Sequence, residues 1–295
     1  MVGKRGAPTD ADERGSGAKR RLRLAVVGHV EWVEFARVGR IPAPGEILHA
    51  DGFWEEPAGG GAVAAVQLAR LGGSATLFTA LGDDFLGRRA ADELAEFDVR
   101  VEAVFRDEPQ RRAFTFIDAG GERTITVIGA RMVPHASDPL PFDELGSYDG
   151  VYFTGGDADA LRAARRARVL VATPRALDAL RAGGVTLDAL VGSARDASER
   201  YEDGDIHPLP RAVVRTAGSD GGSFETSDGR RGSYDAEPLP GPVADTYGCG
   251  DSFAAGLTFG LADGLPLESA LELAARCGAA CATGHGAYAG QLRLV

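Results

Sequence analysis

The sequence predicts an α/β protein of three layers, in which helices cover both faces of a central, mostly parallel sheet. Short apolar runs such as LRLAVVG, SATLFTALG, GVYFTGG and RVLVAT alternate with stretches that have the apolar spacing of helices. Two further stretches, at about 42–57 and 104–131, interrupt this alternation with features of antiparallel strands. They predict a small additional β-sheet that serves as a lid over a binding site.

The order of these elements predicts a tail followed by one folded domain. Residues 1–21 are polar and basic and lack the apolar segment of a secretory signal, so we expect a disordered tail. The domain, residues 22–295, opens with the strand LRLAVVG and the helix AVAAVQLARLGG, and it closes with two long helical patterns. Gly256 and Gly260 lie inside the first of these two helices, where they predict close packing against a neighbour.

The amino-acid composition argues against some classes of binding partner for this protein. The formal net charge of -11 over 295 residues argues against nucleic acid, which needs clustered basic residues. No apolar stretch is long enough for a membrane span. Three cysteines at uneven spacing are too few for a disulfide framework and fit a reducing compartment, so we expect a cytoplasmic protein.

The segment DTYGCGDSFAAG, residues 245–256, predicts an anion site at the start of a helix. Gly248, Cys249 and Gly250 have little side-chain bulk, so their backbone amides can approach a phosphate at the positive end of the helix. Asp251 follows at the position where a base would accept a hydroxyl proton during phosphoryl transfer. The alternative is structural: Asp251 or Ser252 caps the helix and the glycines form a tight turn.

Several motifs in order resemble those of the ribokinase-like (PfkB) family of carbohydrate kinases. DTYGCGD is similar to the family's Asp-Thr-x-Gly-x-Gly-Asp signature, and IPAPGE is similar to its Pro-x-Pro-Gly-Glu turn. AGGGAVAAVQLARLGG followed by GDDFLG resembles the Gly-rich signature, and RTAGSDGG resembles the loop that lies along the nucleotide. The resemblance covers nearly the whole domain and implies a ribokinase-like fold.

The resemblance also implies an activity, cofactors and site residues. It implies an ATP-dependent kinase that phosphorylates a hydroxyl of a small sugar or sugar-like substrate with Mg²⁺, and K⁺ is a further candidate. The implied catalytic residues are Asp251 as the base and Gly248, Cys249 and Gly250 as the anion hole. The implied nucleotide-binding residues are Thr216, Gly218, Gly221, Asp245, Thr246 and His285. The substrate candidates are Glu31, Gly59, Gly60, Gly61, Val63 and Arg123. The metal candidate is Asp196.

The chain departs from the family pattern at its polar contacts. The sugar-binding Asp and Asn fall on Val33 and Val63, and a Lys of ribokinases falls on Gly60. These changes favour a less hydroxylated or more aromatic substrate. Strict alternation places Glu31 on the face of Val33, where it could replace the Asp or simply be exposed. The family's Asn-x-x-Glu maps to SARD, whose Asp196 keeps an oxygen ligand for Mg²⁺.

Other interpretations stay open on the sequence alone. Arg123 could reach a substrate anion or be an exposed hairpin residue, and His285 could lie near adenine or cap a helix end. The activity could be that of an adenosine-like nucleoside kinase, or the chain could bind a ligand without catalysis. A Rossmann dehydrogenase is disfavoured because the first strand ends in GHVEW without a Gly-x-Gly-x-x-Gly turn. The lid strands could also pair two copies in a homodimer.

Overall fold

A computed structural model describes residues 20–294, and all structural statements concern this part of the chain. The strands are β1 (Leu24–Val27), β2 (Glu31–Arg37), β3 (Gly52–Ala58), β4 (Ala75–Gly82), β5 (Val99–Arg106), β6 (Arg112–Ile117), β7 (Arg123–Ile128), β8 (Gly150–Phe153), β9 (Val169–Ala172), β10 (Ala189–Ser193), β11 (Ala212–Thr216), β12 (Gly222–Thr226) and β13 (Arg231–Tyr234). The helices are α1 (Gly60–Gly72), α2 (Phe85–Ala95), α3 (Ala158–Ala164), α4 (Leu177–Gly183), α5 (Cys249–Ala262) and α6 (Leu267–Cys281).

Nine strands form the central sheet, in the order β13-β12-β11-β10-β9-β8-β1-β4-β5. The seven strands from β11 to β5 are parallel, and β12 and β13 form an antiparallel edge. The inner strands β1, β4, β8 and β9 are buried along their whole length, as expected for parallel strands covered on both faces. The predicted mostly parallel sheet is confirmed.

Helices cover both faces of this sheet and divide the core into two layers. One layer packs side chains of α1, α2, α5 and α6 against residues such as Val26 and Leu77. The other packs α3 and α4 against residues such as Val27 and Phe78. Because neighbouring residues of a strand point to opposite faces, Val26 and Val27 serve different layers.

A separate sheet of four strands, in the order β3-β2-β6-β7, lies outside the central one. The segments predicted as lid strands supply β3, β6 and β7. The sequence pattern does not indicate β2, which looks like a continuation of the opening strand. In the structure the chain leaves the central sheet after Val27, and β2 pairs antiparallel with β3 and parallel with β6. Glu31 and Val33 nevertheless lie on one face, as alternation requires.

Helix α5 is central, as its glycines predict. A Cβ on Gly256 would lie 2.8 Å from Cys277 Sγ, and one on Gly260 would lie 2.9 Å from Ala270 Cβ. Both positions therefore need glycine so that α6 can approach closely.

None of the helices in the described part of the chain combines the length and apolar character that a bilayer crossing requires.

Residues 1–19 of the predicted tail lie outside the described residues. Residues 20 and 21, the last two of the predicted tail, contact the domain. Arg20 forms an ion pair with Asp149, and Arg21 Nε donates a hydrogen bond to the carbonyl of Gly72 at 3.0 Å.

Candidate active site

The candidate site lies where the N-termini of α1 and α5 meet at the carboxyl ends of the parallel strands. A Cβ on Gly60 would lie 2.8 Å from Asp251 Oδ1 and 3.2 Å from Thr154 Oγ1. A Cβ on Gly248 would lie 2.9 Å from Val63 Cγ1. The two Gly-rich turns of the sequence are therefore in direct contact, at the edge of the sheet where open α/β folds bind ligands.

The loop before α5 has the conformation expected of an anion-binding turn. Gly248 is the N-cap residue, with φ 76°, and no side chain caps this helix end. The alternative in which Asp251 or Ser252 caps the helix is therefore wrong. Gly250 is exposed, and apart from its chain neighbours and the backbone of its own helix no atom lies within 4 Å of where its Cβ would be. The first-turn N–H groups of a helix have no partners within it, so this end can accept a phosphate.

Asp251 lies half-buried between charged side chains. Its burial raises its pKa to about 6, the positive charge of Arg175 opposes this shift, and the negative charge of Glu199 adds to it. Arg123 and Arg131 also favour the charged carboxylate. A carboxylate with this pKa is mostly ionised at pH 7 and is more basic than an exposed aspartate, which suits a general base.

Glu31, His29 and two arginines form a buried network beside the Gly-rich turn. Glu31 Oε1 lies 2.7 Å from Arg111 Nε and 3.5 Å from His29 Nε2. His29 Nδ1 accepts from Arg131 Nη2 at 2.9 Å, and the same Nη2 donates to the carbonyl of Thr154 at 2.7 Å. Burial and the charge of Arg131 lower the pKa of His29 to about 4, so this imidazole is neutral at pH 7.

The turn at residues 59–61 is fixed by its neighbours. Gly61 N–H donates to the carbonyl of His29 at 3.1 Å, and Gly59 N–H donates to the hydroxyl of Tyr247 at 3.2 Å. Gly59 has φ 86°, and its Cβ would lie 3.2 Å from Glu31 Cγ. The predicted substrate candidates Glu31, Gly59, Gly60, Gly61 and Val63 therefore lie together near Asp251.

Arg123 lies apart from this group, at the start of β7. Its Nη1 donates to Thr246 Oγ1 at 3.0 Å. Thr246 N–H donates to the carbonyl of Gly121 at 3.2 Å, so the β6–β7 turn is bound to the loop before α5. Arg123 thus connects the small sheet to the predicted nucleotide side.

Two of the predicted nucleotide-binding residues, Asp245 and His285, contact other parts of the protein through their side chains. Asp245 is fully buried and accepts hydrogen bonds from the N–H groups of Tyr247, at 2.9 Å, and Gly286, at 2.6 Å. His285 contacts Arg37 through its ring nitrogens, and its ring lies 6.2 Å from that of Trp54. His285 therefore contacts the small sheet.

The predicted nucleotide loop follows β11. Thr216 accepts a hydrogen bond from Ala194 N–H at 2.8 Å, and Gly218 and Gly221 have φ values of 62° and 74°. A Cβ on Gly221 would lie 2.1 Å from the carbonyl of Tyr234, so only glycine fits there. A cavity of about 400 Å³ opens beside the carboxyl ends of β10 and β11, and its lining includes Ser193, Asp196 and Glu199.

Four polar residues of this site are not indicated by the sequence: Arg111, Arg131, Arg175 and Glu199. The position of His29 after the first strand predicts either a ligand contact or a hydrogen-bonded structural histidine, and the structure shows the hydrogen bond. The arginines and Glu199 come from segments without a recognisable motif. Only the tertiary structure brings them to Asp251.

Comparison with known proteins identifies the family. Residues 21–293 match the profile of the pfkB family of carbohydrate kinases. The chain belongs to this family. It is 31% identical over 286 residues to an ATP-dependent ribose-1-phosphate kinase of Halopiger xanaduensis, covering 90% of this chain and 94% of the relative. It is 30% identical over 271 residues to a fructokinase of Klebsiella pneumoniae, covering 78% and 87%.

Solved structures show the same fold. A ribokinase of Arabidopsis thaliana, complexed with ribose and ATP, superposes with a TM-score of 0.68 at 20% identity, covering 90% of this chain and 94% of that one. The predicted ribokinase-like fold is confirmed. The protein is a kinase, a phosphotransferase that acts on an alcohol group, and the dehydrogenase interpretation is wrong.

Proposed function

We propose that this kinase transfers the γ-phosphoryl group of ATP to a hydroxyl of a small sugar, with Asp251 as the general base. The observation that carries the proposal is the position of Asp251, whose carboxylate lies in the first turn of α5 beside Gly60 and Thr154. Asp251 accepts the hydroxyl proton as the alcohol oxygen bonds to the γ-phosphorus and the bond to the β–γ bridging oxygen breaks.

The loop of Gly248, Cys249 and Gly250 stabilises charge on the transferring group. The start of α5 supplies unpaired backbone N–H groups and the positive end of the helix dipole, both fixed before the reaction begins. Thr216, Gly218 and Gly221 hold the nucleotide along β11, and the positive φ of both glycines allows close approach of the backbone. Asp245 and His285 support this side of the site indirectly, through the loops that they join.

Mg²⁺ fits the residues present. Such ions are commonly held by one or two carboxylates together with substrate phosphates, and no group of three His, Cys, Asp or Glu side chains among residues 20–294 forms a protein-only site. Asp196 and Glu199 both line the cavity beside β10, and we propose that Glu199 faces the ion. When bound, Mg²⁺ neutralises phosphate charge and orients the γ-phosphoryl group.

The test compares wild type with Asp251→Asn and with Asp178→Asn, a control at a fully exposed aspartate of α4. ATP consumption is measured with ribose, fructose, ribose 1-phosphate and adenosine, with Mg²⁺ and with or without K⁺. We expect acceptor-dependent turnover in wild type and the control, and a loss of about 10³-fold in Asp251→Asn. Full turnover in Asp251→Asn would exclude Asp251 as the base. Ligand binding without turnover in wild type would favour a non-catalytic protein.

We further propose a homodimer formed through the small sheet. All six residues of β7 are exposed, and this edge strand carries Ile125, Val127 and Ile128. Proteins rarely leave an apolar edge strand uncovered, because its free backbone groups can pair with another chain. Light scattering should show a dimer for wild type and a monomer for Ile128→Lys.

We place the protein in the cytoplasm, in keeping with its three free cysteines.

A further inference from the structure

Arg131 carries a positive charge that no carboxylate neutralises at close range. Its guanidinium donates to His29 Nδ1 at 2.9 Å and to the carbonyls of Thr154, at 2.7 Å, and Arg175, at 3.2 Å. All three acceptors are neutral. Between residues 20 and 294, no carboxylate oxygen lies within 4.0 Å of it, and its buried Nε–H has no hydrogen-bond partner.

The surrounding network does not supply the missing negative charge. Because His29 is neutral, its Nδ1 accepts from Arg131, and its Nε2–H is directed toward Glu31 at 3.5 Å. Glu31 is also the ion-pair partner of Arg111, at 2.7 Å. Among residues 20–294, Glu31 therefore pairs directly with Arg111 and reaches Arg131 only through His29, and Asp251 acts on Arg131 without an ion pair.

This corner of the site lies where the small sheet meets the Gly-rich turn, near Asp251. Arg111 precedes β6 and Arg131 follows β7, so both flank the hairpin of the small sheet. The carbonyl of Thr154 binds Arg131, and the hydroxyl of the same residue lies beside Gly60 near Asp251. The predicted nucleotide loop follows β11, four strands away from β1 in the central sheet.

We infer that the acceptor is a sugar that already carries a phosphate group, and that Arg131, together with Arg111, binds this phosphate. The inference rests on the proposed function. A half-buried guanidinium without an anionic partner is unfavourable, and a phosphate supplies both the charge and the paired oxygen acceptors that match its planar donors. A neutral sugar would bring no negative charge to Arg131.

The test measures kcat/KM for ribose 1-phosphate, ribose 5-phosphate, ribose and gluconate. The proteins are wild type, Arg131→Gln, Arg131→Lys and the control Arg112→Gln, whose guanidinium pairs with Glu34 on the opposite face of the small sheet. We expect wild type to prefer at least one sugar phosphate to ribose by about 100-fold. Arg131→Gln should lose about 100-fold more activity on that substrate than on ribose, with the KM for ATP unchanged. Arg131→Lys should recover part of the loss, and Arg112→Gln should match wild type.

Several results would overturn the inference while leaving the kinase assignment intact. For wild type, these results are equal use of ribose and both sugar phosphates, or a preference for gluconate. For Arg131→Gln, one such result is an equal loss of activity on all acceptors. The other is a raised KM for ATP, which would place Arg131 at the nucleotide. Absence of transfer to every acceptor would instead contradict the proposed function. If Arg131→Gln does not fold, calorimetry on wild type decides: tighter binding of ribose than of both sugar phosphates would refute the inference.

Discussion

Glu199 accepts a hydrogen bond from the backbone N–H of Ser193 at 2.6 Å, which holds its carboxylate at the carboxyl end of β10. Its other oxygen accepts from Arg175 Nε at 2.6 Å. The side chain is mostly buried, and its charge acts on Asp251. Asp196 is more exposed, and its carboxylate binds Ser198 and Arg175 Nη2. The two carboxylates share one guanidinium, and Glu199 is the one whose charge raises the pKa of Asp251.

We therefore expect different effects from neutralising each carboxylate. Glu199→Gln should raise the Mg²⁺ concentration needed for half-maximal activity by about 10–100-fold, because it removes the charge that we propose faces the metal. Asp196→Asn should change that concentration by less than about threefold, because the carboxylate of Asp196 is more exposed and its charge is screened by solvent. Mg²⁺ titrations of activity measure both. A large effect of Asp196→Asn alone would restore Asp196 as the metal ligand.

The pH dependence of turnover should report on Asp251. A general base must be deprotonated, and burial raises the pKa of this carboxyl to about 6. We expect kcat to be constant above about pH 7 and to fall about tenfold for each pH unit below 6. Measurement of kcat from pH 4.5 to 8.5 tests this. A profile that stays flat down to pH 5 would argue against Asp251 as the base, and residual turnover of Asp251→Asn should lack the inflection near 6.

Glu56 should make the protein less stable as the pH rises. Burial, together with the nearby charge of Asp245, raises the pKa of Glu56 from 4.5 to about 7. Because the folded pKa exceeds the unfolded one, the stabilising contribution is complete below pH 4.5 and disappears as the pH rises through 7. Glu56→Gln keeps an oxygen acceptor for Ala287 N–H, so it should raise the free energy of unfolding at pH 8 by about 1–3 kcal/mol.

The neighbouring Glu55 is the matched control, with the opposite sign. Hydrogen bonds from Trp32 and Arg89 lower the pKa of Glu55, so its contribution to stability is present above pH 4.5 and disappears on acidification. Glu55→Gln should therefore lower stability slightly at pH 8. Urea unfolding at pH 5 and pH 8 measures both variants. A decrease in stability for both at pH 8 would contradict the assigned pKa of Glu56.

The sequence predicts the parts of the site that depend on local chain geometry. The turns at residues 59–61 and 248–250 are rich in glycine, and Asp251 follows directly in the helix that one of them begins. Such features leave a short pattern that can be recognised without knowledge of distant contacts. The central sheet is predicted for a similar reason, since buried parallel strands appear as separate apolar runs.

The remaining features depend on contacts that are distant in the sequence. Arg131 binds His29 across 102 residues, and nothing in either segment indicates the other. The apolar spacing of strand β2 fits either sheet. Only its pairing with β6 shows that β2 belongs to the small sheet. Glu199 lies outside the Asn-x-x-Glu spacing, which directs attention to Asp196 instead.

Two alanine substitutions separate the structural and catalytic roles of the loop before α5. Gly248 has φ 76°, and a Cβ there would meet Val63 Cγ1 at 2.9 Å, so Gly248→Ala should destabilise the fold by about 1–3 kcal/mol. At Gly250 the added Cβ would meet no atom within 4 Å beyond its chain neighbours and its own helix backbone, so Gly250→Ala should keep its melting temperature. Its methyl group would still extend into the space proposed for the transferring phosphoryl group.

Gly250→Ala should therefore lower kcat by about 10–100-fold while the KM for the acceptor changes little, since the added methyl group displaces charge from the backbone donors mainly in the transition state. Steady-state kinetics and thermal unfolding of both variants provide the measurements. Wild-type kcat in Gly250→Ala would show that the transferring group does not approach this part of the loop. The anion would then have to be held by side chains such as Arg175, whose positive charge acts on Asp251.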